Sequence, residues 1–247
     1  MKIGTGMSSH NILPGSIAAA ARFLAVTVLC LSFAACHRRA AAGPLDRAEV
    51  ALAAGRYKEA LPIIQAEVIK APADAELVQW LGLTFWKLGQ PDKAAECFES
   101  ALRLLPADPR PAEYLGRVEM QRKRWLNAES ALVRSLRSAP KNPRAWTALA
   151  MVKLATNNVD AAQSYFREAI RLQTNYPPAL YNLAWASYYR SHNNTDASSF
   201  YRRYLAVSED TVRATRARAI LKKIDEGAAP RKPTGKAPTT RRATAPR

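Results

Sequence analysis

Residues 72–109 read PADAELVQWLGLTFWKLGQPDKAAECFESALRLLPADP. The stretch opens on Pro72 and Asp74 and closes on Pro106 and Asp108, 34 residues later. The spacing continues outward to Pro140 and Asn142. Pro109, Pro143 and Pro177 keep it, and so do Ala60, Ala94, Ala128 and Ala162. Several independent series at one period mark an internal repeat, which constrains the architecture before any other motif is read.

Each series has a mechanical meaning. Asp or Asn just ahead of a helix accepts hydrogen bonds from its free N–H groups. Proline at the first helical position loses no hydrogen bond and has its φ already set. Proline beyond a second helix prevents that helix from continuing. Gly55, Gly89 and Asn157 share a further slot, where the chain leaves a helix through a left-handed residue. Lys123 holds that slot in the third unit and suits it less. Each unit is therefore a helix, a tight turn, a second helix and a short link. Gly82 lies inside a helix, where glycine costs roughly 1 kcal/mol relative to alanine. The register sets it where the two helices of a unit come closest, facing Ala94 and Ala101, so its role is packing. Gly89 ends that helix, and Leu81 and Phe85 belong to the core.

This pattern resembles the tetratricopeptide repeat. The second unit carries Leu81, Gly82, Phe85, Ala94, Phe98, Ala101 and Pro106 in the family's signature slots. The third carries Leu115, Gly116, Ala128 and Pro140, and the fourth Trp146, Leu149, Ala150, Ala162, Phe166 and Ala169. The first keeps Ala60, Ile64 and Pro72, with Ala48 in the glycine slot; the fifth keeps Leu180, Leu183 and Ala184. The resemblance covers residues 41–226, about three quarters of the chain. It implies an all-α fold, a right-handed α-solenoid of about five helix-turn-helix units with a C-terminal capping helix. The units fall at 41–74, 75–108, 109–142, 143–176 and 177–210, and the cap at 211–226. In the fifth unit, Ala197, Phe200, Tyr201, Tyr204 and Leu205 fit the pattern with one extra turn residue. Tyr204 fills a slot that is alanine elsewhere, which implies a different neighbour, as at the end of an array. The cap presents Ala217, Ile220, Leu221 and Ile224 on one face and Arg and Lys on the other, as a solenoid end requires.

The formal charge of +17 is uneven along the chain. Residues 1–40 hold four basic residues and 228–247 six, with no acid in either. The body, residues 41–227, holds 27 basic against 20 acidic residues. So mixed a surface is a solvated one and not a nucleic-acid groove. Residues 227–247 contain no large apolar residue and are expected to be disordered. They read either as a solubilising tail or as an electrostatic tether to anionic lipid, an anionic envelope polymer or an acidic protein.

The run FLAVTVLCLSFAA at 23–35 is uncharged and follows Arg22. It is too short for a membrane span, which needs about 20 residues, and it fits the apolar part of an export signal. FAAC at 33–36 resembles a bacterial lipoprotein signal, although Phe33 stands where such boxes usually begin with Leu. The resemblance implies a signal peptide over 1–35, acyl chains on Cys36, and a lipidated linker at 36–40. Ordinary cleavage after Ala35, or burial of the run as a helix, are the other readings. His37, which is not Asp, points by the same resemblance to the outer membrane, facing the periplasm. Two or more acyl chains anchor stably where one does not. Cys30 would leave with the signal, so Cys97 would remain as the lone thiol, a packed one beside Phe98.

No catalytic constellation is visible. His37 and His192 are isolated, no Cys/His cluster has metal spacing, and no phosphate-cradling glycine loop is present. Glu113 and Arg117 have ordinary ion-pair spacing on a helix. The sequence implies no enzyme, no cofactor and no metal.

The family resemblance also implies that the first helix of each unit lines a concave face. Its inward slots hold Gln79, Leu83 and Trp86 in the second unit. They hold Arg110, Glu113, Arg117 and Met120 in the third, and Arg144, Thr147, Met151 and Leu154 in the fourth. In the fifth they hold Tyr181, Trp185, Tyr188 and Tyr189. Exposed aromatics and Arg carry interface energy, and Met adds adaptability. For Trp86 and Tyr189, exposure and cover by a neighbouring unit are both open. The Lys/Asn set of chaperone-tail clamps is replaced by Leu45, Glu49, Trp80, Arg110 and Tyr114, so carboxylate-terminus capture of that kind is not implied. Two functions fit. One is a non-catalytic envelope scaffold holding a protein or peptide, as in pilus or secretion assembly. The other is a glycan- or peptidoglycan-binding module that stacks sugars on Tyr181, Trp185 and Tyr188.

Overall fold

A computed structural model describes residues 43–227. The expected signal peptide, the Cys36 anchor, His37 and the basic residues 228–247 lie outside the described residues. The chain divides into residues 1–47 and 48–247. In the first unit, Gly43 N–H donates to Asp46 Oδ2 (2.8 Å), and Pro44–Arg47 open helix α1 (Pro44–Ala53).

In the second unit the elements among the described residues are all helices. After α1 come α2 (Tyr57–Lys70), α3 (Ala75–Lys87), α4 (Pro91–Leu104), α5 (Pro109–Gln121) and α6 (Trp125–Ser138). Then follow α7 (Pro143–Ala155), α8 (Val159–Leu172), α9 (Pro177–Tyr189), α10 (Asn194–Val207) and α11 (Thr211–Asp225). Among the described residues there is no strand. The helices pair as α3 with α4, α5 with α6, α7 with α8 and α9 with α10, and α11 packs on α10. This is the helix-turn-helix solenoid with a terminal capping helix that the repeat implies.

The local chemistry follows the period. Asp74 accepts from the backbone N–H groups of Glu76 and Leu77, Asp108 from that of Arg110, and Asn142 from those of Arg144 and Ala145. Asp210, one period beyond Tyr176, caps α11 in the same way through Arg213 N–H. Each satisfies donors that a helix start leaves orphaned. The exits repeat as well. Gly55, Gly89, Lys123 and Asn157 all have φ between +59° and +78°. The residue after each donates to the carbonyl five positions back, as Gln90 does to Phe85 (2.9 Å). That closure ends a helix in a tight reversal. Lys123, the least suitable residue for the slot, adopts the conformation nonetheless. In the fifth unit the left-handed residue is His192 and the closing bond runs from Asn193 to Ser187, six positions back. That is the extra residue the pattern required.

The core is a string of clusters along the array. Ala60, Ala94, Ala128 and Ala162 are all fully buried, and so is Ala197, the same slot after the insertion. The largest cluster lies at the C-terminal end, where Tyr181, Tyr201 and Tyr204 join Ala217 and Ile220 of α11. Leu221 and Ile224 pack against it, half-buried. The side chains nearest Gly82 are those of Phe98 and Cys97 and not the expected Ala94 and Ala101. A Cβ there would lie 2.9 Å from Phe98 Cε1 and 3.0 Å from Cys97 Cβ. Gly116, one period later, is tighter: its Cβ would meet Leu132 Cγ at 2.5 Å. The close approach is real, but large side chains of the second helix fill it. Cys97 is the free thiol of this contact, and burial, then Glu96, pushes it up to about 11.

Candidate functional site

The first helices α3, α5, α7 and α9 carry the residues assigned to a partner. Seven of those residues are buried: Gln79, Glu113, Thr147, Leu154, Tyr181, Trp185 and Tyr188. Leu83, Trp86, Arg117, Met120 and Met151 are half-buried, as is Tyr189, and Arg110 and Arg144 are exposed.

The aromatic end differs from the open ring surface expected there. Tyr181 and Tyr188 are 2% exposed and Trp185 8%. Tyr181 meets Tyr201 and Tyr204 edge-on, with centroids 5.7 and 5.1 Å away, and Arg213 of α11 lies 5.5 Å over its ring. Trp185 lies against Tyr189 at 5.3 Å, and Tyr188 meets Tyr189 edge-on at 4.7 Å. The cause is the bulky pair on α10 together with the capping helix, which use these rings as core. Stacking on a sugar needs an open ring face, so the glycan reading loses the observation that carried it.

The other end of the face is polar and better formed. Trp86 on α3 donates its indole N–H to Gln121 Oε1 (2.8 Å). The Arg117 guanidinium lies over the same indole, 4.9 Å from the ring centroid. Tyr114 meets that ring at 6.3 Å and stacks on Phe98 at 5.4 Å, which fixes it. One helical turn before Arg117, Glu113 faces it at 3.5 Å. Glu113 also faces Arg144 Nε of α7 at 3.1 Å and accepts from Asn142 Nδ2 at 2.8 Å. Asn142 thus caps α7 with its oxygen while its nitrogen holds a carboxylate of the preceding unit. Burial first, and then the like charge of Arg144, lowers the Arg117 pKa; Glu113 opposes them. Burial raises the Tyr176 hydroxyl, and Arg144 and Arg117 pull it back. Arg110 is committed elsewhere: its guanidinium pairs with Asp108 at 2.8 Å and reaches Glu76 at 4.0 Å.

Sequence reasoning missed two parts of this arrangement. Asn142 was legible as a cap, but not as the partner of Glu113. Glu119, 2% exposed on α5, pairs with Arg122, which also meets Asp92 of α4 at 2.9 Å. Glu119 lies outside the inward slots, so the register gave it no role. Among the described residues no group of three His, Cys, Asp or Glu could hold a metal. No described helix is long and apolar enough to cross a membrane.

Residues 81–143 and 143–176 match family profiles of the tetratricopeptide repeat. No curated protein matches the chain. The fold is similar to that of pilF from Pseudomonas aeruginosa, at 18% identity over 74% of this chain and 88% of that one, with a TM-score of 0.64. It is similar to TTC0263, a thermophilic repeat protein of Thermus thermophilus, at 22% identity over 72% and 97% of the two chains, TM-score 0.61. It is also similar to YrrB, a repeat protein with an unusual peptide-binding site, at 18% identity over 76% and 97%, TM-score 0.56. At these identities the likeness is one of fold. Residues 81–176 thus carry the sequence pattern of tetratricopeptide repeats.

Proposed function

We propose that this chain is a non-catalytic scaffold of the bacterial envelope that holds a partner protein or peptide against the face of α3, α5 and α7. The observation that carries the reading is the Trp86–Arg117 stack. A half-buried indole and a guanidinium lie together on that face, and Trp and Arg are the residue types that dominate binding energy at interfaces. Met120 and Met151 continue the surface with adaptable apolar side chains. The envelope part rests on residues 23–36, not on the fold. A lipid on Cys36 would hold the chain at the outer membrane, facing the periplasm. Residues 228–247 would add a tether to an anionic envelope polymer. The assembly served is one such as a pilus or secretion complex.

Two measurements test this. A photocrosslinking amino acid is placed at Met120 on the face and, separately, at the exposed Leu126 on α6. A discrete protein adduct from Met120 but not from Leu126 supports the scaffold; adducts from Leu126 alone sink it. Acyl-chain labelling tests the anchor. Cys36→Ser should lose the label and release the protein from membranes, and persistence of the label rules out Cys36.

A further inference from the structure

The charges on the α3–α5–α7 face do not balance. Two guanidiniums, Arg117 and Arg144, share the single carboxylate of Glu113, at 3.5 and 3.1 Å. Glu113 is itself engaged by Asn142. Among the described residues, Arg117 and Arg144 meet Glu113 as ion pairs and donate no side-chain hydrogen bond. By contrast, Arg110 makes charged hydrogen bonds to Asp108. A guanidinium carries five N–H donors in a fork that matches a carboxylate. The Arg117 side chain is 28% exposed and that of Arg144 51%, so both can be reached from solvent. Trp86 backs Arg117 from the other side and fixes its plane.

We infer that Arg117 and Arg144 form a seat for one carboxylate side chain, Asp or Glu, of the partner peptide. The proposal rests on the reading of this face as the partner-binding one. The excess is a single positive charge, so the seat suits a single anion. Apolar side chains flank it along the two helices: Met120 lies about one turn from Arg117 on α5, and Met151 two turns from Arg144 on α7. An acidic residue flanked by apolar ones fits that pattern. A nucleic acid does not, because it needs a track of cations matched to successive phosphates, and Arg110 is already neutralised.

The test uses the full chain and a phage-displayed library of random peptides. Recovered peptides should be enriched in Asp or Glu next to apolar residues. A synthetic copy of the best one should bind about tenfold more weakly to Arg117→Gln or Arg144→Gln, the size of one lost charged hydrogen bond. Changing its acidic residue to the amide should cost the same. Glu113→Gln is the decisive variant. It keeps an oxygen for Asn142 but removes the internal competitor, so binding should tighten several-fold. A merely structural role for Glu113 would weaken binding instead, and that result overturns the seat. Peptides recovered without acidic residues, and insensitive to both arginine variants, also overturn it while leaving the partner-binding face intact. Failure to recover any peptide overturns both readings. Displacement of the peptide by oligothymidylate would show that the seat takes phosphate, and overturns the carboxylate assignment. Melting curves of each variant separate loss of binding from loss of fold.

Discussion

The guanidinium of Arg117 lies 4.9 Å from the ring centroid of Trp86, so a side chain of the third repeat rests on one of the second. Such a contact is worth about 0.5–2 kcal/mol, more as water is excluded. Replacing Trp86 by Leu and Arg117 by Met, singly and together, should give a coupling of about 1 kcal/mol in urea unfolding. Additivity within about 0.3 kcal/mol would mean that the two residues do not stabilise one another.

Gly82 and Gly116 occupy the same slot but differ in what lies opposite. At Gly116 the obstacle is Leu132, which is fully buried, together with the Ala128 carbonyl oxygen at 3.1 Å. Alanine there gains about 1 kcal/mol of helix propensity and loses about 1–3 kcal/mol to overpacking. At Gly82 the nearest atom, in Phe98, is 2.9 Å away. Gly116→Ala should therefore lower the melting temperature more than Gly82→Ala. The reverse order would show that the second repeat is the tighter one.

Lys123 is exposed and has φ +59°. A side chain in that region costs about 1 kcal/mol. Lys123→Gly should raise stability by about 0.5 kcal/mol, since glycine's greater freedom in the unfolded chain takes back part of the gain. Gly89→Ala, at φ +78°, should destabilise by a similar amount. Thermal melts of the two variants should move in opposite directions.

Tyr201 is fully buried and its hydroxyl has no hydrogen-bond partner among the described residues. Burial pushes its pKa far up, and those of Tyr181 and Tyr188 up as well. A group whose folded pKa is raised stabilises fully below its unfolded pKa and loses that contribution as pH rises. Stability should therefore fall from about pH 9, where an unfolded Cys97 ionises, and more steeply above about pH 10, where unfolded tyrosines do. Tyr201→Phe should flatten the second part of that fall. At neutral pH it should be neutral or stabilising by up to about 1 kcal/mol, because it removes an unsatisfied buried group. A clear loss of stability at neutral pH would mean that the hydroxyl has a partner.

What was legible in the sequence was whatever depends on one residue and its place in the period. Asp74 and Asn142 announce helix starts, Gly89 announces an exit, and the fully buried alanines announce the seam. Tyr181 shows where that kind of reading ends. Its slot states the direction in which it points but not what lies there. Tyr201, Tyr204 and Arg213, from two later helices, decide its exposure. Gly82 is similar, since the close approach followed from the slot while Phe98 as its occupant did not. Glu113 was visible as half of an ion pair on one helix, but its bonds to Asn142 and Arg144 cross into the next unit. A 34-residue register carries no information about such crossings.

Asn142 makes that crossing within a single side chain, and the consequence is one of cooperativity. In an array where each unit touches only its neighbours, unfolding is set by the balance between intrinsic and junction terms. Asp74 accepts only backbone N–H bonds of the helix it starts, so that start can fray on its own. At Asn142 the start of α7 cannot fray without also releasing the Glu113 carboxylate of α5. The third and fourth repeats are thereby tied into one opening unit, and the amides of α5 and the first turn of α7 should exchange with solvent together.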